Sequence, residues 1–243
     1  MDAQIILFFV LGLVALVAGA DVLVRGASAL ATRFGVSPLV VGLTVVAYGT
    51  SAPELAVSVT SAYENKADVA FGNVVGSNVF NILFILGASA LIAPLVVGTQ
   101  IIKKDVPVML GAALLTYLLG ADGRIGRMDG VVLVVLAAAY TYWLVKESRR
   151  ETKAAAEFKA EFADEGPKRR PLLLQIIFIV VGLALLVLGS HWFVDSAIKT
   201  AKIFGLSDLV IGLTIVAAGT SLPEVATSIM ASIKGEREIA VGN

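Results

Sequence analysis

One stretch of this sequence occurs twice: residues 41–58 read VGLTVVAYGTSAPELAVS, and residues 211–228 read IGLTIVAAGTSLPEVATS. The two copies lie 170 positions apart and share twelve of eighteen residues. Matches at the same offset extend outward in both directions, pairing Gly12-Leu13 with Gly182-Leu183 and Gly72-Asn73 with Gly242-Asn243. The chain is therefore a duplicated unit.

The composition around the repeat is that of a membrane protein. Of 243 residues, 58% are hydrophobic and only 16% are charged, and the mean hydropathy is +0.89. A soluble domain carries about 25% charged residues. The 19 basic and 19 acidic residues balance, which excludes a nucleic-acid binder because no net field attracts phosphates. The absence of cysteine excludes disulfide scaffolds, thiol nucleophiles and cysteine-ligated metals.

Hydropathy predicts seven membrane-spanning helices, of which the fourth and fifth are short for a bilayer. The first begins Met-Asp-Ala-Gln, without a positive charge, so we predict a retained span and not a signal peptide. The seven segments are Ile5–Val24, Ser37–Ser61, Val69–Leu91, Val106–Leu119, Gly130–Val145, Leu172–Val194 and Leu209–Ile233.

The order of these helices predicts the topology of the repeat. Consecutive spans cross the membrane in alternating directions. Each helix of the second unit comes five helices after its counterpart in the first unit, and because five is odd, the two counterparts cross in opposite directions. We predict an all-α integral membrane protein with an inverted repeat of five-helix units. The second unit is expected to be truncated after its second helix, which leaves seven of ten helices. The predicted divisions are residues 1–145, a cytoplasmic linker at 146–171, and the incomplete repeat at 172–243.

The basic residues predict the orientation. If the N-terminus lies outside, fourteen of the nineteen basic residues fall in inner loops, as expected because basic loops resist translocation. Eight of them lie in the longest loop, Lys146 to Arg170, where six acidic residues accompany them. That composition indicates a solvated helical linker on the cytoplasmic side.

Two acidic residues predict the chemistry. Glu54 and Glu224 alone lie in the middle of apolar spans, at equivalent positions of the repeat, with no basic residue at comparable depth. A charge at the bilayer centre costs about 2.5 to 3.5 kcal/mol on insertion scales, so such residues usually mark an ion or proton path. The sequence therefore predicts an ion site between the two repeats.

The neighbours of each glutamate indicate the kind of ion. Ala47, Thr50, Ser51 and Glu54 share one helix face, and Pro53 frees backbone carbonyls nearby. The second copy supplies the same set, at Ala217, Thr220, Ser221 and Glu224. Because all these ligands are oxygens, they suit a hard cation such as calcium or sodium better than zinc or copper.

The third helix carries a polar stripe of Asn73, Ser77 and Asn81. Since amides donate as well as accept, an interhelical hydrogen-bond ladder is a competing interpretation for Asn73. For Ser77 and Asn81, which lie deeper, we predict a role as cation ligands.

These motifs resemble the calcium/cation antiporter superfamily, specifically its prokaryotic sodium/calcium exchanger type. The resemblance lies in two GTSxPE cores, Gly49–Glu54 and Gly219–Glu224, and in GNVVGSNVFNILFILG at Gly72–Gly87. It implies ten helices in two inverted halves, alternating access and a location in the prokaryotic cytoplasmic membrane. It implies a transporter, not an enzyme, whose partners are the lipid bilayer and the transported calcium and sodium ions. No cofactor, nucleic acid or obligate protein partner is expected.

The resemblance also implies a role for each site residue. Glu54 and Glu224 would be shared ligands of calcium and sodium, and backbone oxygens of Thr50 and Thr220 would complete the calcium site. Asn81 would lie beside the central sodium site. The flanking sodium sites would be lined by Ala47, Ser51, Ser77, Ala217 and Ser221.

Three alternatives remain open at this point. The first is exchange of calcium for protons or another cation, and the second is an inactive fragment of an exchanger. The third, intramembrane proteolysis by Ser190 and His191, is disfavoured because adjacent helical residues diverge by about 100 degrees. His191 is better interpreted as a hydrogen-bonded or interfacial histidine.

Overall fold

The computed structural model describes residues 3–95, 97–160, 171–207, 215 and 217–243, and every regular element in these ranges is helical. π-Helical segments interrupt or precede helices at Gly42–Val46, Asn81–Ile85 and Ile101–Asp105, and Ile215 is also π-helical. The helices are α1 (Ala3–Phe34), α2 (Pro38–Val41), α3 (Ala47–Thr50), α4 (Ala52–Tyr63), α5 (Ala67–Phe80), α6 (Leu86–Ile92), α7 (Val106–Leu119), α8 (Arg127–Ala160), α9 (Leu172–Ile203), α10 (Ala217–Thr220), α11 (Leu222–Ile233) and α12 (Arg237–Gly242).

Four helices of the described chain are long and apolar enough to cross a membrane, and a bent pair makes a fifth candidate. The pair consists of Pro38–Thr50 and Ala52–Tyr63, which meet at 48°. The four single helices are Ala3–Phe34, Ala67–Ile92, Arg127–Arg150 and Leu172–Ile203. The structure thus supports the predicted all-helical membrane protein.

The fourth, fifth and seventh predicted spans compare with the structure as follows. The fourth, Val106–Leu119, is a helix with those bounds, and the π-helical segment ends directly before it. Part of the seventh, Leu209–Ile233, lies outside the described residues. The fifth lies within α8, which continues to Ala160 and so includes the first part of the segment predicted as a solvated helical linker.

Contacts divide the chain into two compact units, Met1–Leu95 with Glu165–Asn243, and Val96–Asp164. In the second unit, the hydroxyl of Tyr140 on α8 donates to Asp105 Oδ1 at 2.9 Å. Lys104 Nζ lies 3.2 Å from Glu147 Oε1. These polar contacts join the π-helical segment Ile101–Asp105 to α8 within that unit.

Glycines bring α1 and α9 into close contact in the first unit. A Cβ added at Gly12 would lie 2.6 Å from Phe193 N, and one at Gly26 would lie 3.0 Å from Ile179 Cγ1. Gly12, near the start of α1, thus contacts the C-terminal part of α9, whereas Gly26 contacts its N-terminal part. The two helices therefore run antiparallel. Glycines also meet glycines across this interface, Gly12 with Gly189 and Gly19 with Gly182.

The core of the first unit continues from α1 to the end of the chain. Leu23 and Val24 of α1 belong to one buried cluster with Val41 and Ile239. The last helix, α12, docks on α2 and the π-helical segment after it, where a Cβ at Gly242 would lie 2.9 Å from Leu39 O. This docking carries the terminal residues toward the break between α3 and α4, where the candidate site lies.

Candidate cation site

Each of the two GTSxPE segments forms a helix break. Ser51 separates α3 from α4 with φ −81° and ψ 9°, and Ser221 separates α10 from α11 with φ −88° and ψ 9°. Both serines thus lie in the bridge region of backbone space, which active-site residues often occupy. Pro53 and Pro223 follow in the first turn of the next helix, where a missing N–H costs no hydrogen bond.

The breaks place the two glutamates inside the first unit and near each other. Glu54 is 8% exposed and Glu224 only 1%. Ser51 Oγ donates to Glu224 Oε1 at 2.7 Å, and Ser221 Oγ donates to Glu54 Oε1 at 2.9 Å. Each carboxylate therefore accepts a hydrogen bond from the serine of the other repeat, and the two bonds cross between the helix breaks.

The second oxygen of each carboxylate, Glu54 Oε2 or Glu224 Oε2, is buried without a hydrogen bond in the part of the chain that the structure describes. Buried carboxylate oxygens are normally hydrogen-bonded, paired with a cation or used to coordinate a metal. None of the ion pairs in the described chain involves either glutamate. The donor set consequently fits a bound cation.

Asn81 adds a third buried oxygen of the same kind. It begins the π-helical segment Asn81–Ile85, which packs against α11, the helix of Glu224. Its Oδ1 is buried and forms no hydrogen bond within the described residues. A π-helical turn often occurs at a functional site, because it reorients a side chain within an otherwise regular helix.

Two asparagines at equivalent positions of the repeat form hydrogen bonds to the helices that carry the glutamates. Asn73 Nδ2 donates to Glu54 O at 3.0 Å and to Ser58 Oγ at 2.9 Å. Asn243 Nδ2 donates to Glu224 O at 3.2 Å and to Ser228 Oγ at 2.9 Å. The hydrogen-bond ladder considered for Asn73 is therefore present, and it has a counterpart in the second repeat.

The other predicted residues occupy different surroundings. The Thr50 hydroxyl is buried and lies 2.9 Å from Asn243 Oδ1, whereas the Ser77 hydroxyl donates along its own helix to Asn73 O at 2.8 Å. Ala47 O accepts the backbone N–H of Ser51 at 3.0 Å. In the second repeat, Ala217 and Thr220 are the first and last residues of α10.

Sequence reasoning did not single out Asn243, Ser58 or Ser228 as site residues. The signal that could have found Asn243 was its equivalence to Asn73 at the offset of 170. Ser190 was considered only as a nucleophile, but its Oγ donates to Gly219 O at 2.7 Å. Ser190 thus ties α9 to the backbone directly before the second helix break.

We expect Asn243→Ala to destabilise the protein. The change removes the amide that joins Glu224 O, Ser228 and Thr50, and leaves buried polar atoms unpaired, at about 1 to 3 kcal/mol each. Asn78→Ala is the matched control, because Asn78 donates only to Val74 O of its own helix, in an exposed position. Thermal unfolding in detergent measures both variants, and equal melting temperatures would contradict the prediction.

Comparison with known proteins decides the family. A family model described as sodium/calcium exchanger protein matches residues 4–146 and 174–243, most of the chain. This chain belongs to the sodium/calcium exchanger family. Its helical fold is that of a membrane exchanger, and the family is one of transporters and not of enzymes.

Relatives of this exchanger cover nearly its whole length. It is 41% identical over 241 residues to the putative antiporter CaxA of Alkalimonas amylolytica, covering 98% of this chain and 74% of that protein. It is 34% identical over 269 residues to the sodium/calcium exchanger MaX1 of Methanosarcina acetivorans, covering 98% and 77% respectively. The resemblance inferred from the GTSxPE motifs is confirmed.

A solved structure shares the fold. The sodium-calcium exchanger NCX_Mj, soaked with sodium and calcium, superposes with a TM-score of 0.85 and 34% sequence identity. The match covers 100% of this chain and 76% of that one. The likeness extends over every described helix of this exchanger, including those that carry Glu54 and Glu224.

Proposed function

We propose that this exchanger moves calcium against sodium across the membrane by alternating access, at a midplane site between Glu54 and Glu224. One observation carries the proposal: two buried carboxylates are held by crossed hydrogen bonds between the repeats, and each keeps one buried oxygen without a hydrogen bond among the described residues. Two carboxylates neutralise one divalent ion. The same oxygens suit sodium, since both are hard cations that take oxygen ligands.

Competition for shared ligands explains coupling. If calcium and sodium use the same carboxylates, they cannot occupy the site together, and the entry of one requires the departure of the other. In this proposal, backbone oxygens of Thr50 and Thr220 complete the calcium site. Flanking sodium ions are bound by residues near the two helix breaks and on the third predicted helix: Ala47, Ser51, Ser77, Ala217 and Ser221. Asn81 lies beside the central site.

The proposed fold is an inverted repeat of five-helix units, divided at residues 146–171. The support for this fold is that equivalent glycines of α1 and α9 contact each other in a swapped order. Gly12 meets Gly189, the counterpart of Gly19, while Gly19 meets Gly182, the counterpart of Gly12. A pseudo-two-fold axis in the membrane plane produces such swapped contacts, and midplane sites in secondary transporters lie at this kind of repeat interface.

The proposed location is the prokaryotic cytoplasmic membrane, with the N-terminus outside. The bias of basic residues toward one side supports this orientation. The proposed partners are the lipid bilayer and the transported calcium and sodium ions, without a cofactor, nucleic acid or obligate protein partner.

Reconstituted vesicles test the exchanged ions directly. We expect calcium uptake when sodium is trapped inside, and no uptake when a pH gradient replaces the sodium gradient. If each cycle moves one net charge, a potential of 100 mV contributes about 2.3 kcal/mol per cycle, so clamping the potential changes the rate. Uptake that follows the pH gradient alone would reassign the protein to proton/calcium exchange.

A further inference from the structure

An ion pair joins α1 to the end of α11 on one side of the first unit. Lys234 Nζ lies 2.5 Å from Asp21 Oδ1, and Arg25 Nε lies 2.8 Å from Asp21 Oδ2. Beside them, Ser28 Oγ donates to Glu236 Oε1 at 2.7 Å. The side chains of Asp21 and Lys234 are only 28% and 23% exposed. An acid flanked by two bases therefore connects two helices that are distant in sequence.

The repeat places a charge-reversed copy of this cluster on the opposite side. At the offset of 170, Asp21 corresponds to His191, Arg25 to Asp195 and Lys234 to Glu64. The counterpart of an acid between two bases is thus a histidine between two acids. The turn after each C-terminal member is also equivalent, because Asn65 and Gly235 both adopt positive φ, at 58° and 76°.

The second cluster is not assembled in this structure. His191 is exposed, Glu64 pairs with Lys66 at 2.7 Å, and Asp195 pairs with Lys199 at 2.7 Å. Correspondingly, α1 packs along α11, whereas the equivalent helices α9 and α4 have at most marginal contact. On one side of the first unit, α1 is therefore packed against α11. On the other side, the equivalent contact between α9 and α4 is not formed.

The glycine contacts determine which helices can move together. Since α1 and α9 approach each other at backbone distance over several turns, they shift as one body more readily than they separate. In transporters built from inverted repeats, the alternate conformation is reached largely by moving one such body relative to the other. A shift that parts α1 from α11 accordingly brings α9 toward α4.

We propose that Asp21 and Lys234 hold one side of the exchanger closed, and that His191, with Glu64 and Asp195, forms the equivalent closure of the opposite side in the alternate conformation. These are positioning residues and do not touch the ions. The inference rests on the proposed function, because it requires the inverted repeat and two conformations that expose the site alternately.

Crosslinking tests the two closures, and the described chain has no cysteine to interfere. A disulfide needs Cα atoms within about 7 Å, whereas an ion pair joins the ends of long side chains, so a short bifunctional thiol reagent is used to bridge the cysteines. We expect both Asp21→Cys with Lys234→Cys and Glu64→Cys with His191→Cys to crosslink in membranes. Glu64→Cys with Lys202→Cys is the control, because Lys202 lies about 16 Å farther along α9. Absence of the Glu64–His191 crosslink, while Asp21–Lys234 forms, would overturn the proposal.

A four-cysteine variant tests whether the closures alternate. We expect each molecule to form one of the two crosslinks and not both, so molecules carrying both would contradict the proposal. Crosslinking does not depend on which ions are moved. It therefore distinguishes a failure of this inference from a failure of the assignment as a calcium and sodium exchanger.

Discussion

Glutamine in place of Glu54 is expected to abolish sodium-gradient-driven calcium uptake. The amide keeps the shape of the side chain and can still accept the hydrogen bond of Ser221. It removes one of two negative charges from a buried site, however, and leaves a divalent ion only half neutralised. An uncompensated buried charge costs several kcal/mol, which corresponds to a loss of calcium affinity of more than about a hundredfold.

The measurement is calcium uptake into sodium-loaded vesicles by purified protein. Asp68→Asn is the matched control, since this exposed carboxylate lies in the first turn of α5 and has no role in the site. Its uptake should equal that of the unsubstituted protein. By the symmetry of the swapped serines, Glu224→Gln should behave like Glu54→Gln. Normal uptake by a correctly folded Glu54→Gln variant would disprove the proposed site.

Valine in place of Gly182 is expected to disrupt the packing of α1 against α9. A Cβ at this position would lie 2.7 Å from Leu23 N and 2.9 Å from Gly19 O, both backbone atoms that no side-chain rotation can move. Overpacking of this kind costs about 1 to 3 kcal/mol, or a melting temperature lower by roughly 2 to 12 °C in a chain of this size. Uptake should fall as well, because the proposed moving body is this helix pair.

Gly111→Val is the control for this substitution. Gly111 is also a helix-interior glycine, in α7, but a Cβ there meets nothing within 4 Å. The comparison therefore separates the close approach of two backbones from the general effect of replacing glycine in a helix. Equal melting temperatures of the two variants, measured in the same detergent, would show that α1 and α9 are not packed at backbone distance.

The sequence predicted the membrane class, the duplication and the two central glutamates, and the family was inferred from its motifs. Each of these predictions needs only the residue types at aligned positions or the composition of a short segment. Apolar runs mark spans because about twenty such residues cross a bilayer. Glu54 and Glu224 were conspicuous because a carboxylate in an apolar span needs a functional reason.

The tertiary structure alone decided which residues meet. Sequence reasoning placed Ser51 on the helix face of Glu54, yet its hydroxyl donates to Glu224 of the other repeat. Likewise, the offset of 170 makes Gly12 equivalent to Gly182, but Gly12 packs against Gly189. An offset identifies equivalent positions, whereas contacts between repeats depend on the symmetry axis that relates them. That axis is set by how the helices pack, and no local pattern in the sequence records it.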